Sequence, residues 1–208
     1  MFLLGALLAA AIGIPVVENL FHVRDRIYLT PATNILGSIL IIGTTQEFLK
    51  CAAVRWSVCD SPEFDERADG VIYGTAAGLG FATVLYIQFV IDSGGLRLGP
   101  GVILVAVTAL AQAAFGGVMG YFLGLAKLES EPIWWMPIGL TAAATLNGLF
   151  AFGRSFITRG VLSLSGGASI NYINGFVLSA VVAFVTTFLV AWLIHRNIEG
   201  VLAQTQDA

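Results

Sequence analysis

Six runs of mostly apolar residues, each long enough to cross a lipid bilayer, constrain this chain more than any motif in it. They cover Phe2–Leu20, Ile35–Val58, Val71–Ile91, Gly101–Ala126, Ile133–Gly153 and Tyr172–Ile194. A spanning helix needs about 20 such residues, because each adds 1.5 Å of rise through a hydrocarbon core about 30 Å thick. Lipid offers backbone N–H and C=O groups no partners, so a spanning segment must satisfy its own, as a helix does. The links His22–Thr33, Cys59–Asp69, Asp92–Pro100 and Lys127–Pro132 are short and polar, whereas Arg154–Asn171 is longer, Ser/Gly-rich and half apolar. That last link is compatible with lying on the membrane surface or dipping back into the bundle. The expected fold class is all-α: a polytopic transmembrane bundle of about six spanning helices, with residues 1–208 as a single domain.

Composition closes off the soluble alternative. The 208 residues are 57% hydrophobic and 11% charged, with a mean hydropathy of +0.87. Soluble domains carry about 25% charged residues. Met1–Phe2 supplies no Lys or Arg for the front end of a secretory signal, so the first run is expected to be a retained helix. The net charge of −3 and the lack of a basic stripe argue against nucleic-acid binding. Lys and Arg in the links divide five against four between the two sides, so the positive-inside rule assigns no orientation. Trp56, Trp134, Trp135, Tyr172 and Trp192 fall near run ends, where interfacial aromatics belong. Cys51 and Cys59 lie about 12 Å apart along a helix, beyond the roughly 7 Å that a disulfide spans between Cα atoms. Neither has a Cys-x-x-Cys spacing or a nearby histidine, so no metal site is expected there, and no cofactor.

Small residues recur every four positions. The third run carries Gly70, Gly74, Gly78 and Ala82, and the fourth Thr108, Gln112, Gly116, Gly120 and Gly124. The fifth has Gly139, Ala143, Asn147 and Ala151, and the sixth Gly175, Ser179, Ala183, Thr187 and Ala191. This spacing keeps them near one helix face, where small side chains let backbones approach closely in lipid. Polar residues inside the runs say more about chemistry. Gln46, Glu47 and Lys50 sit deep in the second run, and Gln112 and Asn147 lie on small-residue faces. A buried charge costs roughly 2.5–3.5 kcal/mol at a helix centre on insertion scales. Glu47 and Lys50, three apart with the acid first, can offset each other. The residues alone leave two readings open: a polar clamp that fixes helix register, or a functional site.

Several segments carry a family resemblance. Gln46-Glu47-Phe48-Leu49-Lys50 resembles the Glu-Glu-x-x-Lys motif of the PrsW-type intramembrane protease family. Residues Phe64-Asp65-Glu66-Arg67-Ala68-Asp69-Gly70-Val71-Ile72-Tyr73-Gly74 are similar to that family's F-D-E-P-x-D-G-I-I-Y-G, followed by Gly78-Leu79-Gly80-Phe81-Ala82 for its G-L-G-F-A. Pro15 through Glu18, Gln112 through Ala126, and Asn147 through Phe152 also resemble family segments, so the likeness covers about residues 10–155. It implies a membrane-embedded protease scaffold in which carboxylates and histidines converge on a metal or an activated water, in a prokaryotic cytoplasmic membrane.

Against that pattern the chain departs at five positions. Gln46 replaces the first motif glutamate, Leu85 an acid, Gln112 a histidine, Asn147 a histidine and Ala151 an aspartate of the family's arrangement. Neutral amides are not general bases, and Leu85 and Ala151 have no ligand atoms. His22 and His195 flank the first and sixth runs, away from mid-bundle. The expectation from these residues is a catalytically inactive relative: no catalytic residues, no metal, and a structural polar cluster of Gln46, Glu47, Lys50, Gln112 and Asn147. Its expected role is a structural or binding subunit with membrane-protein partners in the lipid bilayer. The alternatives are an active protease with a site rebuilt around Glu47 and Lys50, and a small transporter or channel.

Overall fold

The computed structural model describes residues 1–23, 29–92, 98–128 and 134–158, together with single residues scattered between 177 and 195. Among the described residues five helices are long and apolar enough to cross a membrane. We number them α1 (Phe2–Leu20), α2 (Pro31–Ser57), α3 (Arg67–Asp92), α4 (Leu98–Leu128) and α5 (Trp135–Thr158). The expected sixth helix, 172–194, and most of the link 154–171 lie outside the described residues.

Helix ends differ from the apolar runs because ends are set by capping chemistry and not by hydropathy. The second run begins at Ile35, yet α2 starts at Pro31. Thr30 Oγ1 accepts from the Thr33 N–H at 3.1 Å, and Thr33 Oγ1 accepts from the Thr30 N–H at 3.0 Å. That reciprocal cap satisfies two orphan donors, and Pro31 in the first turn has no N–H to leave unpaired. Likewise α3 starts at Arg67, ahead of Val71, because Asp69 Oδ2 accepts from the N–H groups of Asp65 (3.1 Å) and Glu66 (2.8 Å). At the other end of the described chain, α5 continues past Gly153 to Thr158, into the Ser/Gly-rich link.

Two helices contain wide π-helical turns, at Ala9–Gly13 and Val16–Leu20 in α1 and at Ser38–Gly43 in α2. A π turn adds a residue to the helical repeat and so rotates everything that follows it. Thr44 takes up one carbonyl at the end of the α2 bulge, its hydroxyl donating to Ile39 at 3.2 Å.

The bundle is built on backbone proximity. A Cβ at Gly74 would fall on the Gly116 carbonyl oxygen, one at Gly70 on that of Gly120, and one at Gly78 on that of Gln112. The small-residue faces of α3 and α4 therefore meet, as their spacing predicts. On α5, Ala143 and Asn147 are buried and Gly139 abuts the Phe122 ring. The small-residue stripe of the sixth run lies largely outside the described residues.

Around this pair, α1 packs on α3, α5 on α4, and the first half of α2 on α5. The second half, Thr44–Ser57, crosses the middle and touches all four other helices. Consequently Gln46, Glu47 and every residue from Leu49 to Val54 are buried. Trp56 and Trp134 stay exposed at helix ends, where interfacial aromatics belong.

Candidate active site

The second half of α2 carries its polar residues into the interior of the bundle, while Phe48 and Trp56 on the same segment stay exposed. Glu47 and Lys50 are 0% and 1% exposed, and Lys50 is among the largest fully buried side chains. One turn apart on α2, they form an ion pair, with Lys50 Nζ donating to Glu47 Oε1 at 2.6 Å. Lys50 Nζ also stands 5.6 Å from the centre of the Phe81 ring on α3, close enough for a cation–π attraction.

Amides from two further helices complete the cluster. Asn147 on α5 donates through Nδ2 to Glu47 Oε1 at 2.6 Å and to Gln46 Oε1 at 3.0 Å. Gln112 on α4 donates through Nε2 to Gln46 Oε1 at 3.0 Å and to Asn147 Oδ1 at 3.4 Å. The amide orientations follow from the partners: Gln46 Oε1 receives two NH₂ groups, so turning Gln46 over would set donor against donor. All three amides are buried. The Gln112 and Asn147 donors run from α4 and α5 toward the oxygens of α2, both reaching Gln46 Oε1, and Asn147 also reaches the Glu47 carboxylate. Two buried acceptors remain without a hydrogen bond, Glu47 Oε2 and Gln112 Oε1.

The sequence-derived candidates thus separate into two groups. The fold brings together Gln46, Glu47, Lys50, Gln112 and Asn147, drawn from α2, α4 and α5. Leu85 instead packs with Ala9, Leu49 and Phe81 between α1, α2 and α3, and Ala151 is half-buried on α5. Glu18 is half-buried near the end of α1, while His22 and His195 are exposed. Cys51 and Cys59 are both free and buried.

Three features escape the sequence reading. Phe81 stands in the family-like segment Gly78–Ala82, but nothing in the sequence sets its ring beside Lys50. Asn34 and Ser38 form a second buried polar pair on α2, the Ser38 hydroxyl donating to Asn34 Oδ1 at 3.3 Å. The third is a latch at one end of the bundle. Lys127, in the last turn of α4, donates to the carbonyls of Phe64 (2.5 Å) and Ser61 (3.1 Å) and stands 4.8 Å over the Phe64 ring. Beside it a cavity of about 220 Å³ opens between Arg55, Asp60, Lys127 and Met136.

Comparison with known proteins gives this cluster its context. A family model described as PrsW family intramembrane metalloprotease matches residues 1–192. A protein named Protease PrsW from Bacillus subtilis is 33% identical over 121 residues, 55% of this chain and 52% of its own length. Its namesake from Halalkalibacterium halodurans is 29% identical over 150 residues, covering 72% of this chain and 66% of the relative. That from Oceanobacillus iheyensis is 27% identical over 165 residues, covering 79% and 71%. The matched region therefore spans about half of the first of these relatives and up to 71% of the third. No solved structure matches.

These likenesses correct the expectation that the chain is no enzyme, because the matched family and its curated relatives are proteases. That expectation took the replacements at Gln46, Leu85, Gln112, Asn147 and Ala151 as a loss of chemistry. It gave too little weight to Glu47, a buried carboxylate whose Oε1 is bonded by Lys50 and Asn147 while its Oε2 has no hydrogen bond.

Proposed function

The chain belongs to the PrsW family of intramembrane metalloproteases, and from that membership we propose that it hydrolyses peptide bonds inside the membrane, at the cluster around Glu47. The observation that carries the reading is the form of the Glu47 carboxylate. Its Oε1 is fixed by Lys50 and Asn147, while its buried Oε2 has no hydrogen bond. An oxygen of that kind is placed to hold a water, take its proton as the bond to the carbonyl carbon forms, and hand that proton to the amine nitrogen as the carbon–nitrogen bond breaks. Lys50 supplies the compensating charge. Its ammonium has three N–H donors, of which Glu47 takes one, leaving others to face an oxyanion that develops nearby. Gln46, Gln112 and Asn147 act as positioning residues: Asn147 bonds the carboxylate, and Gln46 and Gln112 hold Asn147 in turn through hydrogen bonds between α2, α4 and α5.

The family description implies a metal, and the residues present do not fit one. Among the described residues no three of His, Cys, Asp and Glu stand together as ligands. A catalytic zinc takes about three protein ligands from those types. Here the cluster offers one carboxylate, already paired with an ammonium, and three neutral amides.

Reconstitution of the full chain in liposomes with a panel of single-span peptides tests the proposal. Wild type should cleave, and Glu47→Ala should lower the rate by about 10²–10⁴-fold, the usual contribution of a general base. Absence of cleavage across the panel, or wild-type rates from Glu47→Ala, overturns it.

A further inference from the structure

The cavity of about 220 Å³ lined by Arg55, Asp60 and Lys127 lies at one end of the bundle, and the proposed hydrolysis makes no use of it. The geometry points to a binding site for the headgroup of a phospholipid that carries both a phosphate and a primary ammonium, as phosphatidylethanolamine does. Arg55 and Lys127 hold the phosphate, and Asp60 holds the ammonium.

The cavity sits at headgroup depth. Arg55 is in the last turn of α2, Lys127 in the last turn of α4 and Met136 in the first turn of α5, so three helix ends meet around it. Trp56 and Trp134, next to these ends in the chain, are 79% and 71% exposed. Exposed aromatics of this kind mark the level of lipid headgroups. Leu123, one turn deeper in α4 than Lys127, joins Ala126 and Met136 in an apolar wall, a surface that the start of an acyl chain would cover. A single water takes up about 30 Å³, so the space suits a group several times larger.

The lining charges select the headgroup. Arg55 Nη1 donates to Asp60 Oδ1 at 2.8 Å, which uses one of the five N–H donors of a guanidinium. Lys127 Nζ gives two of its three donors to the Ser61 and Phe64 carbonyls. Arg55 thus keeps donors for the oxygens of a phosphate, which its planar fork matches, and Lys127 adds a compact charge with one more N–H. Asp60 spends one oxygen on Arg55 and is 85% exposed, so its other oxygen is open to a cation. Phosphatidylglycerol would set a phosphate beside Asp60 with no amine to balance it, and the methylated amine of phosphatidylcholine has no N–H to donate. Glu63, Asp65 and Glu66, in the loop that Lys127 bonds, are exposed. They add negative potential beside the cavity, which opposes a lipid of net negative charge and favours an ammonium.

Thermal melting of the full chain, delipidated in detergent and titrated with lipids of matched acyl chains, tests the assignment. Phosphatidylethanolamine should raise the melting temperature saturably. Its midpoint concentration should lie about two- to fivefold below those of phosphatidylcholine and phosphatidylglycerol, the range set by one exposed ion pair. Free phosphoethanolamine, the same headgroup without chains, should give no shift at those concentrations; an equal shift would make the ligand a soluble phosphate ester and overturn the lipid assignment. Arg55→Gln should weaken the response to all three lipids, and Asp60→Asn should remove the preference for phosphatidylethanolamine. Both side chains are more than a third exposed, so neither change should disturb the fold. Equal midpoints for phosphatidylethanolamine and phosphatidylcholine in wild type would overturn the inference, and that arm needs no variant. A preference that survives Asp60→Asn, midpoints unchanged in Arg55→Gln, or a tighter response to phosphatidylglycerol would overturn it as well. None of these readouts involves peptide cleavage, so failure here and failure of the proposed hydrolysis remain separate results.

Discussion

At residue scale the determining fact is that Lys50 and Glu47 neutralise each other while both are buried, at 1% and 0% exposure. Truncating one partner of a buried ion pair typically costs about 3–5 kcal/mol, because the survivor is left charged and unmatched. A hydrogen bond between membrane helices contributes only about 0.6 kcal/mol on average. Lys50→Met should therefore lower thermal stability well beyond Asn147→Leu, even though Asn147 takes part in three hydrogen bonds and Lys50 in one. Equal shifts in melting temperature for the two variants would show that the Lys50–Glu47 pair is not the cluster's main electrostatic constraint.

At the scale of elements, the antiparallel pair of α3 and α4 is held by what its glycines leave out. Gly70, Gly74, Gly116 and Gly120 each place a neighbouring carbonyl oxygen where a Cβ would be. No side-chain rotation relieves such a clash, since the opposing atom is backbone. Gly74→Leu and Gly120→Leu should each force α3 and α4 apart, with a loss above the 1–3 kcal/mol usual for overpacking. Ile72, 60% exposed on the outer face of α3, is the matched control. Ile72→Leu should stay within about 0.5 kcal/mol of wild type. Tolerance of both glycine changes in a thermal melt would remove close backbone packing as the basis of the pair. The π turns of α2 belong to this scale too, since the bulge at Ser38–Gly43 sets the rotation at which Gln46 and Glu47 arrive in the bundle.

For the whole molecule, the loop between α2 and α3 is the part tied down from a distance. Phe64 is buried to 1% exposure and packs on Tyr73 with ring centres 6.0 Å apart. Lys127, from the far end of α4, closes it by bonding the Ser61 and Phe64 carbonyls. Glu63 and Glu66 on either side are exposed, which makes them reporters. Lys127→Met should leave the helices in place and speed cleavage by a Glu-specific protease in this loop severalfold, because local opening exposes backbone to the enzyme. Phe64→Ala should do the same and also cost about 3–5 kcal/mol, as emptied aromatic sites do. Unchanged cleavage in Lys127→Met would mean that Phe64 alone seals the loop.

The sequence by itself determined that this is a helical bundle in a membrane and where its first five spans lie to within a few residues. Lipid makes those features one-dimensional: a spanning segment must be apolar, about 20 residues long and internally hydrogen-bonded. It also marked the α3–α4 contact, because a period of four is a statement about one helix face. The polar cluster was half legible, since its members stood out against apolar surroundings while their mutual contacts did not. What the tertiary structure decided was which helix lies at the centre. In a membrane the lipid-facing side is as apolar as the core, so hydropathy does not say that Thr44–Ser57 is surrounded while α1 stays largely open. Nor does it give helix rotation, which the π turns reset. Rotation is what set Asn147 and Lys50 on one oxygen of Glu47 and left the other oxygen free, and on that asymmetry the proposed chemistry rests.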